Sequence, residues 1–111
     1  AIKLSDFTAT PEEPMIGEFV RVAVVATNTT DKSVRLLIDF AIDFVKANGT
    51  TSRKVFKGGE FELGPQASES IAKTISVRQH TTRTHYPGVH DVHALVNGST
   101  NPIGSFTLLP A

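Results

Sequence analysis

Four histidines stand close together at His80, His85, His90 and His93, and neutral imidazole is the commonest protein ligand for zinc and related ions. Their spacing works against a metal site. His90 and His93 are three apart, so on a strand, where successive side chains alternate, they point to opposite faces. The chain has no cysteine to complete a tetrahedral set. These histidines therefore read as ordinary surface or hydrogen-bonded side chains, and no metal or other cofactor is expected. Carboxylates pair at Glu12-Glu13, at Asp39 and Asp43, and at Glu60 and Glu62. Each pair falls in a turn or at strand spacing among polar neighbours, the pattern of a solvated face and not of an acid–base couple. No motif places a serine, threonine or lysine beside an activating base, and no glycine-rich phosphate loop follows a strand. The sequence predicts a protein with no catalytic residues of its own.

Charge is more informative. Eleven basic residues balance eleven acidic ones, so any attraction to a polyanion must come from local asymmetry. Lys46, Arg53, Lys54 and Lys57 surround Asn48-Gly49 with no acidic residue between them. A second group, Arg78, His80, Arg83 and His85, lies beside Tyr86 in a segment that also holds Gln79, Thr81, Thr82 and Thr84. Cations interleaved with hydroxyl and amide donors are the residue types that bind phosphate oxygens. Glu12, Glu13 and Glu18 gather near the N-terminus, so one positive and one negative region are expected. The plainer reading is that lysine and arginine at a hairpin discourage edge-to-edge aggregation.

The elements that must carry these groups are strands. Apolar residues recur with period two over most of the chain. Residues 2 to 9 form a first strand that ends before Pro11 and Pro14, which lack an amide hydrogen for a ladder. From 18 to 27, Val20, Val22, Val24 and Ala26 share one face of a central strand. Val34, Leu36, Ile38, Phe40, Ile42 and Phe44 then alternate with Ser33, Arg35, Leu37, Asp39, Ala41 and Asp43. The rival for this stretch is an amphipathic helix striped by Arg35, Asp39 and Asp43. Asn48-Gly49 favours the strand, because it suits a two-residue type I′ hairpin into a returning strand over 50–56. That turn would set Asp43 opposite Lys54. Gly58-Gly59 and Gly64-Pro65 bracket a short segment over 60–63, and further strands are expected over about 68–78, 89–96, after Tyr86-Pro87-Gly88, and 103–109, after Asn97-Gly98. Seven or eight short strands separated by turns predict an all-β, immunoglobulin-like antiparallel β-sandwich. Asn28, Asn48 and Asn97 each fit Asn-x-Ser/Thr, but all fall in predicted turns and read as turn chemistry and not as glycosylation sites.

At 111 residues and 40% apolar composition the chain suffices for one core, so residues 1–111 are expected to form a single domain. Its opening Ala1-Ile2-Lys3-Leu4 enters the alternating pattern at once, as a domain excised from a longer chain would. No apolar run is long enough to span a membrane as a helix, and the absence of cysteine fits a reducing, cytoplasmic compartment.

The stretches from Asp43 to Ser52 (Asp43-Phe44-Val45-Lys46-Ala47-Asn48-Gly49-Thr50-Thr51-Ser52) and Lys54-Val55-Phe56-Lys57 resemble the C-terminal immunoglobulin-like domain of bacterial HEAT-repeat DNA alkylation repair proteins, the alkylpurine DNA glycosylases. The likeness continues through Thr81-Thr82-Arg83-Thr84-His85-Tyr86-Pro87-Gly88 and Leu95-Val96-Asn97-Gly98, and departs at Gly58-Gly59. The resemblance implies an accessory module that helps a covalently linked helical-repeat domain grip damaged duplex DNA, with the base-excision chemistry in that other domain. The basic blocks and the resemblance coincide, so Lys46, Arg53, Lys54, Lys57, Arg78, Arg83, His85 and Tyr86 are the candidate DNA-facing residues. The competing expectation is a protein-interaction or cell-envelope module whose exposed strand edges bind a partner.

Overall fold

A computed structural model describes residues 1–79 and 83–111. His80, Thr81 and Thr82, part of the second basic block, lie outside the described residues. Among the described residues seven strands follow one another: β1 (Ile2–Thr10), β2 (Phe19–Asn28), β3 (Val34–Val45), β4 (Thr51–Leu63), β5 (Ser68–Ser76), β6 (Gly88–Val96) and β7 (Ser99–Leu108). They form a three-stranded sheet of order β1-β2-β5 and a four-stranded sheet of order β4-β3-β6-β7. These seven strands pair antiparallel throughout. Among the described residues no helix is long and apolar enough to cross a membrane.

Period-two patterning explains the core. Val20, Val22, Val24 and Ala26 of β2 are buried against Leu36, Ile38, Phe40, Ile42 and Phe44 of β3, with Ile71, Ile75, Val92, Phe106 and Leu108 filling the space between the sheets. The alternation over 33–44 belongs to a strand, so the amphipathic helix is not formed. Burial of five large side chains along one face of β3 outweighs the weak stripe of three charged residues on the other.

Three local expectations are corrected. The segment 60–63 is not separate: β4 runs unbroken from Thr51 to Leu63 through both Gly58 and Gly59. The ladder with β3 shifts between Ile38 and Asp39, and a Cβ on Gly58 would stand 2.6 Å from the Ile38 carbonyl oxygen. The glycine therefore marks a bulge with close backbone approach and not a turn. The final strand begins at Ser99 and includes Pro102, which an edge strand tolerates. At Asn48-Gly49, Asn48 lacks the positive φ that a type I′ turn requires, while Gly49 has φ 83°. The Gly49 amide donates to the Lys46 carbonyl and the Lys46 amide to the Thr50 carbonyl, giving a three-residue loop with a left-handed third residue. The extra loop residue moves the register by one, so Asp43 faces Arg53 and not Lys54, which faces Ile42.

The molecule measures 47 × 22 × 20 Å, its length set by the strands. Asn28, Val34, Leu63, Val96 and Ser99 mark one narrow end; Thr10, Phe19, Val45, Thr51, Ser76 and Gly88 mark the other.

Candidate nucleic-acid interface

The basic blocks, 21 residues apart in sequence at their closest members, Lys57 and Arg78, meet at the second of these ends. Their meeting point is an aromatic group built by alternation. Phe44, the last inward residue of β3, and Phe56, inward on β4, have ring centroids 6.3 Å apart. The Arg83 guanidinium lies 4.5 Å over Phe44 and the Lys54 ammonium 5.1 Å over Phe56. A guanidinium stacked through its face keeps its N–H edges free for in-plane acceptors such as phosphate oxygens. A third contact repeats the device on the outer face of the three-stranded sheet at the same end: Arg78, just beyond β5, lies 4.9 Å over Phe19 at the start of β2, a ring left 46% exposed.

The other candidates divide. Lys46 is exposed at the foot of the hairpin loop. Arg53 lies on the outer face of the four-stranded sheet and donates Nε and Nη2 to Asp43, at 2.8 and 3.2 Å. His93 of β6, opposite Ala41 and two residues beyond the Asp91 that faces Asp43, brings Nε2 to 3.0 Å from Asp43 Oδ2. The Arg53 hydrogen bonds, ahead of the one from His93, hold the Asp43 carboxyl below the usual carboxylate range against the opposing cost of burial. Arg53 thus meets solvent with its charge largely balanced. Lys57 is exposed but sits opposite Asp39 near the middle of β4, away from the end. Tyr86 is half-buried.

His85 is placed differently from the expectation. It is buried, its ring centroid 5.4 Å from Phe44, and its backbone N–H and carbonyl are both held by the Gln79 side chain. An imidazole in that position supports the aromatic group from beneath and does not present itself to a phosphate. His90 is likewise buried, between Phe44 and Phe106 at 5.5 and 5.1 Å. Its Nδ1 lies 3.0 Å from the Gly88 carbonyl, which fixes the proton there. Burial pushes this imidazole below its ordinary value, with the Gly88 bond acting the other way. His90 inward and His93 outward are on opposite faces, as their spacing requires. No group of three metal-ligating side chains converges among the described residues.

Glu12, Glu13 and Glu18 lie at this same end and not at the far one. Thr107 of β7 donates to the Glu12 carbonyl and Leu109 to the Pro14 carbonyl, placing residues 12–14 beside β7, whereas the Val77 N–H donates to the Glu18 carbonyl and sets Glu18 next to Arg78. The cations sit by β3, β4 and β5. Sequence reasoning missed Asp43 as the partner of Arg53 and of His93, and Phe19 and Phe44 as platforms for arginine. Only the strand register brings these residues together, and the one-residue slip at the hairpin hid the first pair.

Two facing antiparallel sheets over a shared apolar core define an immunoglobulin-like domain. Residues 3–110 match the model of a family described as the C-terminal Ig-like domain of the uncharacterised protein YhaZ, and the chain belongs to that family. It is 37% identical over 98 residues to YhaZ of Bacillus subtilis strain 168, covering 88% of this chain and 27% of that protein. A solved structure of Pseudomonas fluorescens alkylpurine DNA glycosylase AlkC, bound to DNA containing an abasic site analogue, is similar at a TM-score of 0.91 and 37% identity. That match covers 97% of this chain and 30% of AlkC. A β-glucosidase from Listeria innocua matches at a TM-score of 0.71 and 16% identity, a likeness of fold alone. The chain therefore spans less than a third of YhaZ and of AlkC.

Proposed function

We propose that this domain is a non-catalytic accessory module of a cytoplasmic DNA alkylation repair protein, and that it grips duplex DNA with the end bearing Lys46, Arg53, Lys54, Arg78 and Arg83. The observation that carries this reading is the convergence of Lys54 and Arg83, from two distant basic blocks, on the neighbouring rings Phe56 and Phe44. Stacking holds both cations in place at the surface, which reduces the ordering cost of meeting a phosphate. The likeness to AlkC supports the ligand class, since the matching structure is one bound to DNA. Base-excision chemistry would reside in a covalently linked helical-repeat domain, consistent with the share of AlkC and YhaZ that this chain leaves uncovered.

A second reading has its own observation. The outer face of the four-stranded sheet leaves Leu37 and Val55 each 49% exposed, a surface suited to a protein partner. Salt separates the two readings. Binding to a short duplex, followed by fluorescence anisotropy at low and moderate salt, is expected to be weak, to fall steeply as salt rises, and to be lost when Arg53, Lys54, Arg78 and Arg83 are changed together to alanine. Absence of binding even at low salt would remove the DNA reading and favour the protein-interaction module.

A further inference from the structure

The chain contains four asparagines, Asn28, Asn48, Asn97 and Asn101, and their surroundings differ in a way that bears on covalent chemistry. An asparagine side chain is attacked by the amide nitrogen of the next residue most readily when that residue is glycine, which offers no side chain to obstruct the approach. Asn48-Gly49 and Asn97-Gly98 both meet this condition. Asn101 precedes Pro102, whose nitrogen carries no hydrogen and cannot form the ring. Asn28 is fully buried, with Nδ2 donating to the carbonyls of Lys32, Leu63 and Gly64.

Asn97 is tethered at both ends of its amide. Its Oδ1 accepts the Leu37 N–H at 2.8 Å and its Nδ2 donates to the Arg35 carbonyl at 3.2 Å, so the side chain is fastened to β3 across the sheet. Asn48 is exposed at a hairpin tip. Among the described residues its Nδ2 has no hydrogen-bond partner, while its Oδ1 accepts from the Thr50 N–H at 3.1 Å and the Thr50 hydroxyl at 2.6 Å. Two donors on that oxygen draw electron density from Cγ and stabilise the negative charge that develops on Oδ1 during attack. The amide that would leave is thus free, and the carbonyl that would be attacked is polarised.

We propose that Asn48 is a site of spontaneous deamidation that switches off the basic hairpin, whereas Asn97 is protected. The Gly49 nitrogen bonds to Asn48 Cγ and loses its proton, the Cγ–Nδ2 bond breaks, and Nδ2 departs as ammonia. Water then opens the resulting succinimide at either carbonyl, leaving aspartate or isoaspartate and one released proton. No oxidation or reduction occurs. The product carries a negative charge at the tip of the loop whose flanks hold Lys46, Arg53 and Lys54. Weakened DNA binding as a consequence rests on the proposed function; the modification itself does not.

Both asparagines are read in one sample. The 111-residue chain is incubated at mildly alkaline pH and mapped by peptide mass spectrometry with an isoaspartate-specific enzyme. Conversion at Asn48 is expected to exceed that at Asn97 by about tenfold, because reaction at Asn97 must break two side-chain hydrogen bonds to β3, whereas at Asn48 the attacking Gly49 nitrogen gives up one, to the Lys46 carbonyl. Equal rates, faster conversion at Asn97, or an Asn48 that stays intact would overturn the assignment. In a second arm, Asn48→Asp is compared with the unmodified chain for duplex binding at fixed low salt, with several-fold weakening expected. Equal binding by the two would overturn the switch. A wild-type chain that does not bind DNA would also overturn the switch, through failure of the proposed function, while the mass map still decides the site of modification.

Discussion

The two Asn-Gly turns sit at opposite ends of the same sandwich and differ in what holds them. Asn97 and Gly98 both have positive φ, 47° and 88°, so they form the tight two-residue turn in which Val96 pairs with Ser99, and the Asn97 side chain is bonded to two backbone groups of β3. Nearby, Asn28 joins the β2–β3 turn to the β4–β5 turn in the same manner. At the other end the Asn48 side chain, among the described residues, bonds only to Thr50, two residues away, and the flanks of its loop hold cations. One Asn-Gly turn commits its polar side chain to internal closure; the other leaves its Nδ2 facing solvent. The same dipeptide thus fastens the fold in one place and presents charge in the other, and the residues around it decide which.

The largest test of this contrast is Asn97→Ala against Asn48→Ala. Loss of two cross-strand hydrogen bonds, together with alanine's aversion to positive φ, is expected to cost about 2 kcal/mol at position 97. The cost at 48 is expected to stay below about 1 kcal/mol, both read by urea denaturation at neutral pH. Equal losses would break the comparison. Gly98→Ala and Gly49→Ala sharpen it, because both glycines have positive φ and a Cβ on either would meet nothing within 4 Å. Each is expected to cost about 1 kcal/mol for backbone strain alone, so a much larger loss at one would mean that the turns differ in more than side-chain tethering. Asp43→Asn should have the smallest effect, within about 1 kcal/mol at neutral pH, because its partner Arg53 is largely solvated. Asp43 has a lowered carboxyl pKa in the folded state, so its contribution is fully present above the unfolded value near ~3.9 and is lost as pH falls through the folded one. Wild-type and variant stabilities should accordingly converge in strong acid, which a series of melts across acidic pH would check.

Much of the fold was legible because period two sorts residues without reference to distant neighbours. Val20, Val22, Val24 and Ala26 are buried on one face of β2, and the inward set from Leu36 to Phe44 is buried on β3, as alternation alone predicts. What alternation cannot supply is loop length. The Asn48-Gly49 loop holds one residue more than the dipeptide suggests, and that single residue exchanged Lys54 for Arg53 as the neighbour of Asp43. Glycine was misread for a related reason: at Gly58 the demand comes from the Ile38 carbonyl on the next strand, a contact local sequence does not show. Both basic blocks were visible as composition, but their meeting on Phe44 and Phe56 depends on the β3–β4 pairing and on where the segment after β5 returns. His85 belonged to the second block by charge and to the core by position.

The elongated shape bounds what such a tip could hold. An end about 20 Å across covers about six base pairs of a duplex that rises about 3.4 Å per pair. With Arg53 largely balanced by Asp43, Lys46, Lys54, Arg78 and Arg83 could together neutralise about four phosphates, which limits the slope of log affinity against log salt to about −3.6. So small a footprint would make the domain a brief, sequence-indifferent clasp on its own, and its residence on DNA would depend on the effective concentration supplied by whatever is tethered to it.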